Sequence, residues 1–169
     1  MKKVFLIDGK RSPYVKSFST FNDLTSLDLG VYLVNYLKTQ YNLHALDDFI
    51  IGSVYQSPKY ANFARNLLLH AGLSDTIPAY TVQRNCASGL EAIRQAYFSI
   101  QNGSSFVLAG GVESMSSMPF LLKHSFQKFI LSFSRAKTLF EKISLLGSIP
   151  YKDIFSYIFA LEEGLKDGF

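Results

Sequence analysis

The sequence predicts an α/β layered domain, and three observations carry that expectation. Short apolar runs of strand length alternate with stretches of helical periodicity, and Gly, Asn or Pro stands at most of the junctions between them. The third observation is composition: across 169 residues 48% are hydrophobic and only 18% charged, enough to build a core and too apolar for a disordered chain.

In order along the chain, Val4 to Ile7 reads as a short buried strand, ended by Asp8-Gly9 and the Arg11-Ser12-Pro13 loop. From Leu24 the pattern is helical, with Leu27, Val31, Val34 and Leu37 on one face and Asp23 placed to cap the start. A second strand is predicted at Phe49 to Tyr55, then a polar loop at Gln56 to Lys59 and a helix from Asn62 to His70 closed by Gly72. A third strand, Ala79 to Gln83, leads through Asn85-Cys86 into a helix with Leu90, Ile93, Tyr97 and Ile100 on one side. Asn102-Gly103 ends that helix, and Phe106 to Ala109 forms a fourth strand.

After Gly110-Gly111 the alternation stops, and the remainder reads as helix rich in basic and aromatic residues. A boundary near Pro119 divides an α/β domain, residues 1–119, from a mainly helical segment, residues 120–169. Between Lys123 and Leu146, Phe126, Phe129, Ile130, Phe133, Phe140 and Ile143 recur at helical spacing. The basic residues Lys123, Lys128, Arg135, Lys137 and Lys142 stand among them against the single acid Glu141. A basic amphipathic helix of this kind suits an anionic membrane surface or a partner protein, and an ordinary helix packed on its own protein has the same pattern.

Composition also excludes functions. The formal net charge of +4 is concentrated in that stretch, with neither a broad basic face nor a nucleic-acid-binding module, so no nucleic-acid partner is expected. Cys86 is the only cysteine, so no internal disulfide forms, and His44, His70 and His124 are scattered without ligand spacing, so no metal is expected. Asp8 interrupts the first apolar run well short of a signal peptide, and no run reaches the roughly 18 apolar residues of a membrane span. A cytoplasmic protein is the expectation.

The chemistry points to Cys86. QRNCASGLEAI, Gln83 to Ile93, puts this thiol between a buried strand and the first turn of a helix, where free amides and the helix dipole favour the thiolate. Ser88 and Gly89 suit a tight turn in which the backbone approaches a ligand. A lone cysteine in a globular chain is more often a small buried apolar group. The local motif argues otherwise.

Asn85, Cys86, Ala87, Ser88, Gly89, Ala92 and Ile93 resemble the acyl-enzyme signature of the thiolase family. Three further segments are similar to family motifs and stand in family order. They are IDGKRSP (Ile7 to Pro13, with Val15 where many members have glycine), IIGSVYQ with ANFAR (Ile50 to Gln56 and Ala61 to Arg65), and AGGVESMSSMP (Ala109 to Pro119). The resemblance implies the first half of a thiolase-like α/β/α layered fold, followed by the beginning of a helical loop domain. SFQKFILSFSRAKTLFEKISLL, Ser125 to Leu146, is similar to the loop-region insertion of thiolases that form the β subunit of the β-oxidation trifunctional complex, and QSPKYANFAR and AGLSDTIPAYTV lean the same way.

What the resemblance implies for function is an acyltransferase of fatty-acid β-oxidation that cleaves 3-ketoacyl-CoA to acetyl-CoA and a shortened acyl-CoA, with coenzyme A as co-substrate and no bound cofactor. Cys86 takes the roles of acyl-thioester nucleophile and backbone oxyanion donor. Homodimerisation of the complete enzyme, a hydratase/dehydrogenase α subunit as partner, and peripheral membrane contact through residues 123–146 are implied as well. Family members keep a histidine in a G-H-P element and a second cysteine in a C-x-G element; this sequence has neither, so the chain is expected to be a truncated, inactive amino-terminal segment. Other readings are a non-catalytic remnant or partner-binding module, a segment of a biosynthetic acetoacetyl-CoA thiolase, and a ketoacyl synthase, whose motif around its cysteine differs.

Overall fold

Continuous burial along the second predicted strand sets the centre of the fold. A computed structural model describes residues 2–55, 59–118, 120–154 and 157–159 and divides the chain into two compact units, Met1–Ser117 and Met118–Phe169. In the first unit β1 (Asp48–Gly52) pairs in parallel with β2 (Ala79–Val82) on one side and β3 (Val107–Gly111) on the other. β1 is buried on both faces, as the centre strand of a parallel sheet must be.

Successive β1 side chains point to opposite faces. Phe49 and Ile51 join Leu27 and Val34 of α1 (Ser26–Lys38) and Phe63, Leu67 and Leu68 of α2 (Phe63–His70) in one core cluster. On the other face α3 (Ser88–Gln101) packs against β1 and β3. The result is an α/β/α layering. α1 and α2 approach so closely that a Cβ on Gly30 would lie 2.8 Å from Leu67.

Local sequence explains several helix ends. Asn62 caps α2 by accepting from the Arg65 N–H at 3.2 Å, and its amide donates to Ala79 O at 2.8 Å, tying the helix start to β2. Gly72, with φ 67°, takes the left-handed conformation that ends that helix. α1 differs from expectation: its cap is Thr25 rather than Asp23. Thr25 Oγ1 accepts from the Asp28 N–H while the Asp28 carboxylate accepts from the Thr25 N–H, a reciprocal box that Asp23 has no partner to form.

Among the described residues three strands form in this unit, not four. Val4 to Ile7 is unpaired chain, with Phe5, Leu6 and Ile7 exposed by 75, 88 and 66%. Its ends are tethered, since Lys2 exchanges hydrogen bonds with Gln101 at the end of α3 and Tyr41 donates to Asp8. No strand of the described sheet lies against it, and a strand without a ladder partner is not formed. α3 forms where the pattern predicts a helix; its buried residues are Ser88 and Ala92, whereas Leu90 and Ile93 of the apolar side are 70 and 53% exposed. The second strand is shorter than predicted, ending at Gly52, and part of the polar loop after it, residues 56–58, lies outside the described residues.

In the second unit β4 (Phe120–Leu122) pairs antiparallel with β5 (Tyr157–Phe159), and α4 (His124–Arg135), α5 (Leu139–Leu146) and the short α6 (Tyr151–Ile154) lie between them in sequence. The single helix expected over residues 123–146 is two. Thr138 starts the second by accepting from the Glu141 N–H, with the Glu141 carboxylate accepting from the Thr138 N–H. Phe126, Phe129 and Phe133 line up along α4 with ring centroids 6.1 and 6.0 Å apart. Lys123 pairs with Asp153 at 3.0 Å.

Candidate active site

β2 leaves the sheet at its carboxyl edge, and the chain turns through Gln83–Ala87 before α3 begins. Asn85 makes the turn with φ 48°, the left-handed region that Asn tolerates better than most residues. Ser88 closes it from beneath: its buried hydroxyl accepts from the Arg84 N–H at 2.8 Å and donates to the Asn85 carbonyl at 2.7 Å. Backbone bonds from Ala87 N to Arg84 O and from Ser88 N to Asn85 O, both 3.0 Å, complete it. Cys86, at the crest, is exposed and carries a free thiol.

No side chain caps the start of α3, whose N-cap is Ala87. Beyond the Ser88 N–H, which Asn85 O accepts, its first-turn amides are not consumed by a side-chain cap, and they favour negative charge nearby. Arg84 and Arg94 both pair with Glu91, at 2.8 and 2.9 Å. Gln95, which donates to Glu91 at 2.6 Å, and then Arg84 hold the Glu91 carboxyl down at about 2. The two guanidinium groups are thus engaged with a permanently charged carboxylate.

Glycine at two positions lets the start of α3 rest on the strand ends. A Cβ on Gly52, the last residue of β1, would lie 2.3 Å from the Ser88 carbonyl carbon and oxygen and 2.7 Å from the Gly89 nitrogen. One on Gly111, the last residue of β3, would lie 3.0 Å from the Gly89 Cα. Backbone therefore meets backbone here. The thiol is held over the carboxyl ends of parallel strands, where open α/β sheets place ligands.

Beside this junction the Glu113 carboxylate accepts the Val54 N–H at 2.8 Å and the Tyr55 N–H at 3.3 Å. Burial pushes its carboxyl above the usual range and outweighs the two N–H donors. The Tyr55 phenol is pushed up by burial first, then by Glu113 and Cys86, so all three groups share one electrostatic neighbourhood. Ser114 next to it donates its N–H to Ser26 Oγ at 2.9 Å and its hydroxyl to Leu24 O at 2.8 Å.

Of the residues singled out in the sequence, Cys86, Asn85, Ser88 and Gly89 are brought together. Arg65 is not among them: it donates to Ile77 O and Asp75 O at 3.1 and 2.7 Å and braces the loop before β2. Among the described residues no group of three or more His, Cys, Asp or Glu could hold a metal ion, and no helix is long and apolar enough to cross a membrane. Sequence reasoning passed over Glu113, although the AGGVESM segment that contains it was visible.

The Thiolase, N-terminal domain family matches residues 4–147. This chain belongs to the thiolase family. It is 32% identical over 172 residues to a 3-ketoacyl-CoA thiolase of Photorhabdus laumondii, covering 98% of this chain and 39% of that protein. It is 36% identical over 150 residues to the mitochondrial trifunctional enzyme subunit beta of Mus musculus, covering 87 and 32%. Among solved structures, the acetyl-CoA acetyltransferase of Bacillus anthracis superposes with TM-score 0.58 at 40% identity, over 62% of this chain and 27% of that one. The Acat5 thiolase of Ascaris suum, solved in complex with coenzyme A, gives 0.59 at 28% identity over 64 and 29%. The chain thus has the layered α/β fold of thiolases and spans about two fifths or less of the length of these relatives.

Proposed function

We propose that this chain supplies the acyl-accepting cysteine of a thiolase that cleaves 3-ketoacyl-CoA in fatty-acid β-oxidation. One observation carries the reading: an exposed thiol, Cys86, sits at an uncapped helix start above the carboxyl ends of a parallel sheet. In the proposed cycle the Cys86 thiolate attacks the 3-keto carbonyl, with the Cys86 N–H as oxyanion donor. The C2–C3 bond breaks, its electron pair stays with the acetyl-CoA fragment, and that carbon takes up a proton. The shortened acyl group remains on Sγ until the thiolate of coenzyme A attacks the thioester, releasing acyl-CoA and restoring the cysteine.

Two proton transfers in this cycle need groups that the family carries on its G-H-P and C-x-G elements. Neither element occurs in these 169 residues. The chain by itself is therefore proposed to accept an acyl group without turning over. Homodimerisation, an α-subunit partner and a cytoplasmic location form part of the same reading. The partner is supported by the mouse relative, which is named as a β subunit. Similarity to the Bacillus anthracis acetyl-CoA acetyltransferase supports the biosynthetic alternative for the same cysteine.

Incubation with acetyl-CoA tests the reading. Transfer to sulfur releases free coenzyme A and leaves a hydroxylamine-labile acetyl group on Cys86, found by peptide mass spectrometry and absent from Cys86→Ala. Acetylation that is equal in the variant, or continuous coenzyme A-dependent cleavage of acetoacetyl-CoA by the purified chain, refutes it.

A second reading concerns the second unit, where Leu139, Phe140 and Ile143 of α5 are exposed among Lys137 and Lys142. We propose this surface for peripheral contact with anionic lipid. Binding to phosphatidylserine vesicles should fall when Phe140 is changed to Ser, and absence of binding by the unaltered chain sinks the idea.

A further inference from the structure

Glu113 holds the exit of β1 rather than its own strand. The ladder between β1 and β3 ends at the Gly52 and Gly111 pair. Two residues later the Glu113 carboxylate reaches back across to the neighbouring chain, with Oε2 on the Val54 N–H at 2.8 Å and Oε1 on the Tyr55 N–H at 3.3 Å. From the other side, Ser53 N–H donates to Val82 O at 3.2 Å and Gln83 Nε2 donates to Val54 O at 3.4 Å. Val54 is therefore held through its N–H from the β3 side and through its carbonyl from the β2 side. Gln83 stands three residues before Cys86 and opens the turn that presents it.

A half-buried carboxylate satisfied by two backbone amides is costly to keep, and burial raises the Glu113 carboxyl despite them. Val54 and Tyr55 lie 59 and 58 residues from Glu113 in sequence, so the bonds serve no local turn of the Glu113 segment. The Tyr55 they hold has a ring within electrostatic reach of Glu113 and Cys86 together. Charge alone does not explain the arrangement, because a carboxylate beside a thiolate opposes its ionisation.

We propose that Glu113 is a positioning residue for the nucleophile: it fixes the Val54 peptide, and through Gln83 that peptide fixes the turn carrying Cys86. This role rests on the reading of Cys86 as the acyl acceptor. Its substitution changes how the thiol reacts, beyond any change in stability.

Alkylation of the 169-residue chain with iodoacetamide separates the two claims. Labelling of Cys86 is followed by mass spectrometry at about pH 7 and about pH 9, where a free thiol titrating near 8.5 gives a rate ratio of about 0.04. The unaltered chain is expected well above that ratio, and Glu113→Gln to fall by about twofold toward it, as a rise of half a unit in the thiol's ionisation implies for this ratio. Melting of each variant by circular dichroism shows whether it is folded. Where Glu113→Gln is unfolded, Gln83→Ala, which removes the exposed end of the same linkage, is read instead and is expected to fall in the same direction. A folded Glu113→Gln with a ratio equal to or above that of the unaltered chain overturns the positioning role. A free-thiol ratio in the unaltered chain overturns the nucleophile reading instead.

Discussion

Gly52→Ala is the sharpest test of how α3 meets the sheet. The added Cβ would lie 2.3 Å from the Ser88 carbonyl group and 2.7 Å from the Gly89 nitrogen. Carbon contacts relax to about 3.5–4.0 Å, so more than about 1 Å of backbone movement is required. Neither side yields cheaply. Gly52 belongs to the centre strand, in register with Val82 and Gly111, and Ser88 is tied to Arg84 and Asn85. Overpacking costs about 1–3 kcal/mol and occasionally more, and a backbone obstacle belongs at the upper end, about 3 kcal/mol. At about 4 °C per kcal/mol, a unit of this size should melt about 12 °C lower. Thermal denaturation followed by circular dichroism reads this, with Gly110→Ala as the control. A Cβ there meets nothing within 4 Å, and the expected cost is within about 0.5 kcal/mol. Equal melting temperatures for the two variants would show that α3 does not rest on the strand ends, and the placement of Cys86 would fall with it.

Three further outcomes are expected. Phe49→Ala empties the centre of the first core, where Phe49 is fully buried, and should cost about 3–5 kcal/mol in urea unfolding; a loss under about 1 kcal/mol would contradict the core assignment. Thr25→Ala removes the reciprocal cap of α1 and should cost about 1 kcal/mol in the same assay, whereas Asp23→Ala should cost less. The Asp47 carboxylate accepts the Ser105 and Phe106 N–H groups at 2.6 and 3.0 Å, which lower its carboxyl below the usual value. Its contribution is present above the unfolded carboxylate's pKa of about 3.9 and is lost as pH falls through the lower folded value. The melting difference between the unaltered chain and Asp47→Asn should therefore narrow as pH drops from about 6 toward 3, and a constant difference would contradict this linkage.

Much of the site was legible because it is local. A strand running into Asn85-Cys86 and then a helical period is a short-range pattern, and Asn62 and Gly72 announce the ends of α2 in the same way. Failures came where a competing local signal or a distant neighbour decided. Asp23 and Thr25 are both capping types, and Asp28 chose between them. The helical period runs unbroken from Lys123 to Leu146, yet Thr138 and Glu141 restart the helix inside it. Val4 to Ile7 has the composition of a strand, but pairing depends on which strand lies alongside. Glu113 was invisible for a related reason. Its contacts with Val54 and Tyr55 follow from the order β2-β1-β3, which periodicity does not encode.

The left-handed backbone at Asn85 restricts which substitutions the site tolerates. Only glycine, and less freely Asn or Asp, adopts φ near 48° without strain. The residue preceding the nucleophile is therefore chosen for the peptide plane it allows, independently of any contact its side chain makes. A library of variants at position 85 should sort by backbone permissiveness: glycine and aspartate retained, valine and isoleucine lost, with size and polarity of little consequence.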